Sequence, residues 1–486
     1  MNATPDATAT ATPADSGLYG RLLKDPASMI DACYFDAYRL ERDQIETVQL
    51  TGARQRFAQL RPRLSVLDTL AAEQGIDEIR ELNDLAPLIY AHTVYKSYPT
   101  SFIEKNRYDR MTRWLSGLSV CDLSQVRTEG IDSVDGWLDA LDEQTPLRVF
   151  HTSGTSGKLS FVPRTKEEWR LQILISNQII RDHWGPASGP DLVREPRPLI
   201  VPGYRHGSAN TQRGNDFMVQ LLAGGEHNAL FLYPHMRFSA DVASLAGRLR
   251  VAEARGEQGA IELAPALIRR RDEIAALERD RPQALNRFFE LAKGRFGGRD
   301  VYIAALWPVL YEWAEDGLKR GLHHVFGPGT VVFTGGGPKN RVLPENWREQ
   351  VHEFLGTSRI YEFYGSSEVM GICAKCEAGH YHLPPTLITF LLDKETGKPL
   401  PRVDGQTGRL AMFDLLPASY WAGLVTGDKV TISGWDRPCA CGRLGAYLHP
   451  TIQRYSQLEG GDDRILCSGA PEAHDKAMEF LAHLAE

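Results

Sequence analysis

Between Lys166 and Phe333 short apolar runs alternate with longer stretches of helical periodicity, and this alternation limits the possible folds more than any other feature of the chain. The runs are Pro198-Leu199-Ile200-Val201-Pro202-Gly203, Asn228-Ala229-Leu230-Phe231-Leu232-Tyr233, Val301-Tyr302-Ile303-Ala304-Ala305-Leu306 and Thr330-Val331-Val332-Phe333. Each reads as a short buried strand, whereas Lys166 to His183 and Ser239 to Ala254 carry helical apolar spacing. Strand and helix in alternation predict a layered α/β domain. Ahead of it, from about Leu18 to Leu141, charged and apolar residues mix as in Leu67-Asp68-Thr69-Leu70-Ala71-Ala72-Glu73, which predicts a helical preface. From Thr386 to Ile432 the pattern shifts to strands and turns, with Thr396-Gly397-Lys398-Pro399 and Gln406-Thr407-Gly408-Arg409 read as hairpins.

The 486 residues can bury a large core, enough for about two to four domains or one large domain with appendages. A net charge of −7 argues against a grip on nucleic-acid phosphates as the main activity. No apolar run approaches the roughly 20 residues of a membrane span, and the N-terminus lacks the basic start and apolar core of an export signal, so a cytoplasmic protein is expected. Residues 1–16 are an Ala/Thr/Pro/Asp tail with little to bury and read as disordered. Seven cysteines, an odd number in a long chain, speak against a disulfide framework.

The run His151-Thr152-Ser153-Gly154-Thr155-Ser156-Gly157-Lys158 has the chemistry of a polyphosphate cradle. Gly154 and Gly157 let the backbone turn its N–H groups toward an anion, Ser153, Thr155 and Ser156 add small donors, and Lys158 adds a positive charge. The spacing is not that of a Walker loop, because the two glycines are too close and Leu159 replaces the required hydroxyl residue. Alone, such a run is also compatible with a plain turn. Three further blocks follow in order: Thr334-Gly335-Gly336-Gly337, then Tyr361-Glu362-Phe363-Tyr364-Gly365-Ser366-Ser367-Glu368, then Thr426-Gly427-Asp428.

Together the four blocks resemble the core motifs of the adenylate-forming enzymes, the superfamily that includes acyl-CoA ligases, over about Thr152 to Asp463. The resemblance implies ATP and Mg2+ as cofactors and a carboxylic acid as substrate. Ser153 to Lys158 would then hold phosphate, and Glu368 would bind magnesium as a hard oxygen ligand. Tyr364 would pack on adenine beside the backbone strip Gly335, Gly336 and Gly337. Ser367 lies in the same block, and Asp428 would accept the ribose hydroxyls. The segment Asn83-Asp84-Leu85-Ala86-Pro87-Leu88-Ile89 with Lys96 is similar to one that phenylacetate-type ligases and acyl-protein synthetases carry before the phosphate loop.

Cys373, Cys376, His380, His382 and Cys439-Ala440-Cys441-Gly442-Arg443 form a second constellation, able to fill a tetrahedral zinc site if folding brings it together. Phenylacetate-type ligases and acyl-protein synthetases have a similar arrangement, with the histidine in a context resembling His382-Leu383-Pro384. That likeness selects Cys376, His382, Cys439 and Cys441 for a structural Zn2+, with Cys373 the rival and reduced loop cysteines the alternative.

The chain also departs from the family. Gly460-Gly461-Asp462-Asp463 is similar to the hinge of these ligases but lacks its arginine, and no catalytic-lysine motif surrounds Lys476. The proline expected after the loop lysine is replaced by Leu159 and Ser160. The last segment, with Cys467 and the apolar stretch Ala477-Met478-Glu479-Phe480-Leu481, is similar to the acyl-protein synthetase of the bacterial fatty-acid reductase complex. In that reading Cys467 is a nucleophile that takes the acyl group from the adenylate; the alternative is a buried structural cysteine.

The expected organisation is a tail over 1–16, a helical preface over 17–145 and an adenylate-forming large N-terminal domain of layered sheets and helices over 146–460. A zinc-stabilised subdomain is expected over 373–445, with the C-terminal domain reduced to a short segment over 461–486. The expected activity is conversion of a carboxylic acid to acyl-AMP, then transfer to a thiol: Cys467 and then a partner protein, or coenzyme A. Transfer to an amine, or an inactive zinc-stabilised binding protein, are the other readings.

Overall fold

The computed structural model describes residues 17–153, 158–255, 265–336 and 343–458. Gly154, Thr155, Ser156, Gly157, Gly337 and Cys467 lie outside the described residues, and of Ser153 only the backbone is described. The N-terminal part is helical as its periodicity predicts. It contains α1 (Leu18–Lys24), α2 (Arg42–Leu60), α3 (Ser65–Gln74), α4 (Thr100–Glu104), α5 (Tyr108–Ser116) and α6 (Val134–Gln144). A two-stranded antiparallel ribbon, β1 (Phe150–Ser153) with β2 (Leu159–Val162), flanks the Gly/Ser/Thr run.

The alternating stretch builds α7 (Lys166–Asp182), β3 (Leu199–Gly207), α8 (Asn210–Arg213), α9 (Asn215–Leu221), β4 (Ala229–Phe238) and α10 (Ala240–Arg255). It continues with α11 (Pro265–Arg269), α12 (Arg271–Phe296), β5 (Tyr302–Ala304), α13 (Trp307–Lys319), β6 (Val331–Gly335), α14 (Trp347–Leu355), β7 (Ile360–Tyr364) and β8 (Cys373–Ala374). The strands form one sheet in the order β4-β3-β5-β6-β7-β8, parallel except for the antiparallel edge strand β8. Successive residues of each strand face opposite layers. Leu199, Tyr302, Val331, Phe333 and Tyr361 pack with Ile173, Ile179 and Ile180 of α7. Ile200, Ile303 and Val332 meet Phe288, Phe289, Leu310, Trp313, Val351 and Phe354 from α12, α13 and α14 on the other face. Helix α7 starts where it does because Thr165 and Glu168 cap each other's backbone N–H groups.

A second sheet follows, built from β9 (Tyr381–His382), β10 (Leu387–Leu392), β11 (Gln406–Asp414), β12 (Gly423–Ser433), β13 (Tyr447–Leu448) and β14 (Gln453–Arg454). Its order is β10-β11-β12-β13-β9, antiparallel throughout, with β14 also pairing β12. Ile388, Phe390 and Phe413 face a cluster shared with Phe57 and Leu60 of α2, while Leu391, Met412, Val430 and Ile432 line the opposite face.

One expected hairpin is corrected here. Residues 406–409 lie inside β11, and the turn before it closes instead at Asp393 to Lys398. Gly408 is a close-approach glycine: a Cβ there would stand 2.9 Å from Leu400 and 3.0 Å from the Leu392 carbonyl. Among the described residues no helix is long and apolar enough to cross a membrane.

Candidate functional site

The carboxyl ends of parallel strands are where open α/β sheets leave a crevice for ligands. Gly335 ends β6 and Tyr364 ends β7, side by side in that sheet. A Cβ on Gly335 would stand 2.7 Å from the Phe363 carbonyl, and Gly336 adopts φ +83°, so both positions demand glycine. The Tyr364 hydroxyl donates a 2.7 Å hydrogen bond to Oδ2 of Asp428 on β12, which brings the two sheets together at this edge. The other carboxylate oxygen, Oδ1, pairs with Arg454 of β14 at 3.3 Å. Thr426 steadies the strand, donating to the Leu410 carbonyl at 2.8 Å and accepting the Asp428 N–H at 3.1 Å. Burial, followed by the charge of Asp428, pushes the Tyr364 phenol well above its usual range, so it remains a donor.

Glu368 lies four residues beyond β7 and accepts the Ser366 hydroxyl. Burial raises its carboxyl, against the opposing pull of Ser366, Arg164 and Lys96. Arg164 is fully buried under this segment. Its guanidinium donates to the carbonyls of Ser367 at 2.9 Å and Val369 at 3.1 Å, and it lies over the rings of Phe150 and Trp169. The Tyr420 hydroxyl donates to the Glu368 carbonyl at 3.2 Å. Sequence reading missed Arg164 because an arginine two residues after a strand is ordinary on a surface; only its burial marks it.

Two lysines share this region. The ammonium of Lys158 sits 4.5 Å from the centre of the Tyr98 ring. Burial and the nearby charge of Lys96 lower its pKa. Lys96 is itself 9% exposed and lowered by burial, partly offset by Glu368. Lys96 is in charge range of both Lys158 and Glu368, and Arg164 also acts on Glu368, so cations outnumber the acid, which fits a polyphosphate carrying a hard dication. Lys96 was visible in the sequence only as part of the segment preceding the loop.

The cysteine-histidine group assembles behind this edge. One ligand atom each from Cys376, His382, Cys439 and Cys441 lie within 4.8 Å of one another. Cys376 Sγ is 3.9 Å from Cys439 Sγ, near the roughly 3.8 Å that two thiolates span across a tetrahedral zinc. His382 presents Nε2 to Cys441 Sγ at 3.3 Å from strand β9. Gly442, at φ +85°, closes the Cys439 turn with a 2.8 Å bond to the Cys439 carbonyl. Burial pushes the Cys439 thiol up to about 12, with the neighbouring thiols adding to the rise, and drops His382 to about 3, helped by Arg443, His380 and His183. Neutral imidazole is the ligand form, and three crowded thiols are the soft donors a borderline dication would deprotonate. Cys373 stands apart, buried on β8 among Val369, Leu387 and Met412. His380 reaches Cys439 Sγ at 3.2 Å from outside the group of four.

No family model and no curated protein matches this chain. Among solved structures it is similar to an open conformation of 2-hydroxyisobutyryl-CoA ligase in complex with 2-HIB-AMP and CoA, at 13% identity over 86% of this chain and 76% of that one, with a TM-score of 0.47. It is also similar to the amide bond synthetase McbA from Marinactinospora thermotolerans, at 17% identity over 63% and 48% with a TM-score of 0.34. ATP-bound MatB from Rhodopseudomonas palustris gives 14% identity over 63% and 47% and the same TM-score.

Proposed function

We propose that this chain is an ATP-dependent enzyme that activates a carboxylic acid as its acyl adenylate and passes the acyl group to a thiol. The observation that carries the reading is the Tyr364–Asp428 hydrogen bond, which joins two of the motifs where β7, beside Gly335 of β6, meets β12; Glu368 follows four residues after Tyr364, within charge range of Lys96, which in turn neighbours Lys158. In the first half-reaction a carboxylate oxygen attacks the α-phosphorus of ATP, the new C–O–P linkage forms, and pyrophosphate leaves with the electron pair of the broken P–O bond. Lys96 and Lys158 offset charge on the phosphates, the Tyr364 ring backs the base, and Asp428 accepts the ribose hydroxyls. Glu368 is the residue that would hold magnesium, which neutralises phosphate charge when bound. Gly335 and Gly336 leave room for the base because they carry no side chain.

The second half-reaction needs a sulfur nucleophile. Cys467, followed by a partner protein, is one acceptor and coenzyme A the other. Cys467→Ser would stop the first route after adenylation and spare the second. Cys376, His382, Cys439 and Cys441 would hold a structural zinc that pins the Cys439 turn to β9.

ATP–pyrophosphate exchange with pooled fatty, aryl, amino and hydroxy acids tests the proposal. Exchange driven by one pool supports it and names the acid class; no exchange from any pool, together with undetectable ATP binding, rejects it in favour of a zinc-stabilised binding protein. Formation of an amide from an added amine would redirect the second step to nitrogen.

A further inference from the structure

Outside the site, two carboxyls are buried against each other. Asp135 is the second residue of α6 and Asp241 the second of α10, and each caps the other's helix. Asp241 accepts the backbone N–H groups of Val134 at 2.8 Å and Asp135 at 3.0 Å. Asp135 accepts that of Ala240 at 2.9 Å and the Ser239 hydroxyl. Their exposures are 6% and 8%, and the 3.0 Å bond from the Asp135 N–H to Asp241 sets the two residues side by side.

Among the described residues Asp135 has an arginine partner and Asp241 has none. Arg237 of β4 pairs with Asp135 at 3.2 Å but also serves Asp139 at 2.7 Å. Asp132 and Arg269 pair with each other beside a cavity of about 150 Å³ that Asp241 and Arg270 also line. His151 of β1 and Tyr108 of α5 face the pair as well. Two adjacent buried carboxylates cannot both ionise cheaply, so they share a proton. Burial would raise Asp135, but Arg237, Ser239 and the Ala240 N–H outweigh it and hold it ionised; burial and that neighbouring charge push Asp241 up to about 7.

Bonds lead from the pair to the Gly/Ser/Thr run. Arg237 donates to the Ser208 hydroxyl at 2.9 Å, and the Ser208 carbonyl accepts the His151 N–H at 2.9 Å. His151 is the second residue of β1, and α10 packs on both β1 and β2.

We propose that Asp135 and Asp241 form a proton-sensitive brace against β1, the strand that leads into the Gly/Ser/Thr run. With one proton between them, the pair is a monoanion that Arg237 balances, and the starts of α6 and α10 are held together against β1. Loss of that proton leaves an uncompensated buried charge, which pushes the two helix starts apart and loosens β1 and β2. The consequence for ATP rests on the proposed function; the brace itself does not.

The sign follows from linkage. Asp241 keeps a proton in the folded state that the unfolded chain has released above about pH 4, so its stabilising contribution is full in acid and is lost as pH rises through about 7. Asp241→Asn mimics the protonated acid and should flatten that fall. Thermal unfolding and amide exchange in 150–153 and 159–162, corrected for intrinsic rates, would be followed from about pH 5.5 to 8.5. The native chain is expected to lose stability and speed up exchange in both strands, and D241N to show neither change. Infrared titration gives a readout that survives poor folding of the variant: the native chain and Glu368→Gln both lose a protonated-carboxyl band across neutral pH, which separates the pair from the raised Glu368. The same slope in D241N as in the native chain, or no such band in the native chain, overturns the brace. None of these readouts uses turnover, so failure of pyrophosphate exchange would count against the proposed function alone.

Discussion

The hydroxyl of Tyr364 and the carboxylate of Asp428, 2.7 Å apart, join the last residue of β7 to the middle of β12 and so tie the parallel sheet to the antiparallel one. Arg454 occupies the other oxygen of Asp428. The aspartate is therefore fixed in orientation, and in the proposed reading it would meet the ribose as a preorganised acceptor that loses little freedom on binding.

Asp428→Asn removes the charge while keeping the shape. Since hydrogen bonds to a charged acceptor are worth about 1.5–3 kcal/mol, ATP affinity should fall about 10- to 100-fold by titration calorimetry. Tyr364→Phe removes only the tether and keeps the ring, so a loss of about 3- to 10-fold is expected. Native-like affinity in D428N would remove Asp428 from the ribose site.

The four-ligand group makes a discriminating prediction about metal content. The purified chain should carry one zinc, measured by mass spectrometry; Cys376→Ser and Cys439→Ser should each lose it, and Cys373→Ser should keep it, because Cys373 faces an apolar cluster. Stripping the metal with a strong chelator should lower the melting temperature, since the deprotonated thiols would revert to crowded, buried thiols and the Cys439 turn would lose its anchor.

What was legible in the chain followed period and motif. The alternation of apolar runs pointed to β3, β4, β5 and β6 to within a few residues, because Leu199, Ile200, Tyr302 and Ile303 are buried on both faces and leave no room for polar side chains, whereas β7, whose residues are mostly half-buried, was read only as a motif. Gly408 misled because glycine in a turn and glycine at a close approach look alike in sequence, and only Leu400 and Leu392 across the strand distinguish them. Arg164 and Lys96 were illegible as site residues for a related reason. Their significance lies in burial beside Glu368, which depends on contacts with residues hundreds of positions away.

Arg164→Met keeps the bulk beneath the Ser366 to Val369 segment but withdraws donors from two carbonyls. Each unpaired buried carbonyl costs about 1–3 kcal/mol, so the unfolding midpoint should drop and magnesium-dependent ATP binding should weaken with it. Arg164→Lys should rescue little, because an ammonium cannot reproduce the fork that reaches Ser367 and Val369 together.

Burial raises the Glu368 carboxyl above the ordinary range, so in the nucleotide-free chain it takes up a proton earlier as pH falls. A raised carboxyl stabilises the fold in acid, and that contribution is lost as pH rises through its folded value. Magnesium needs the opposite state, and ATP affinity in its presence should therefore decline on acidification before ordinary glutamates titrate. Glu368→Gln should abolish both the magnesium dependence and this acid limb, whereas ATP binding without metal should change little.

Lys96 and Lys158 give the sharpest separation between fold and function. Each ammonium is lowered by burial, and Lys96 lowers Lys158 further, so in the empty protein the two cations oppose each other. A lysine depressed in the folded state holds its proton less firmly than in the unfolded chain, so stability should rise with pH as the depressed range is crossed. Lys96→Met removes a mostly buried charge that Glu368 offsets only in part, and should raise the melting temperature of the empty protein. With ATP present the balance reverses, because the polyphosphate supplies the missing anions; the same variant should lose about 10-fold or more in affinity, each charge-assisted contact being worth about 1.5–3 kcal/mol. Lys158→Met should behave alike, and the double variant should lose less than the sum, since removing either cation relieves the other. A Lys96→Met chain that is both less stable and unchanged in ATP affinity would place Lys96 in the packing of the helical preface and outside the phosphate site.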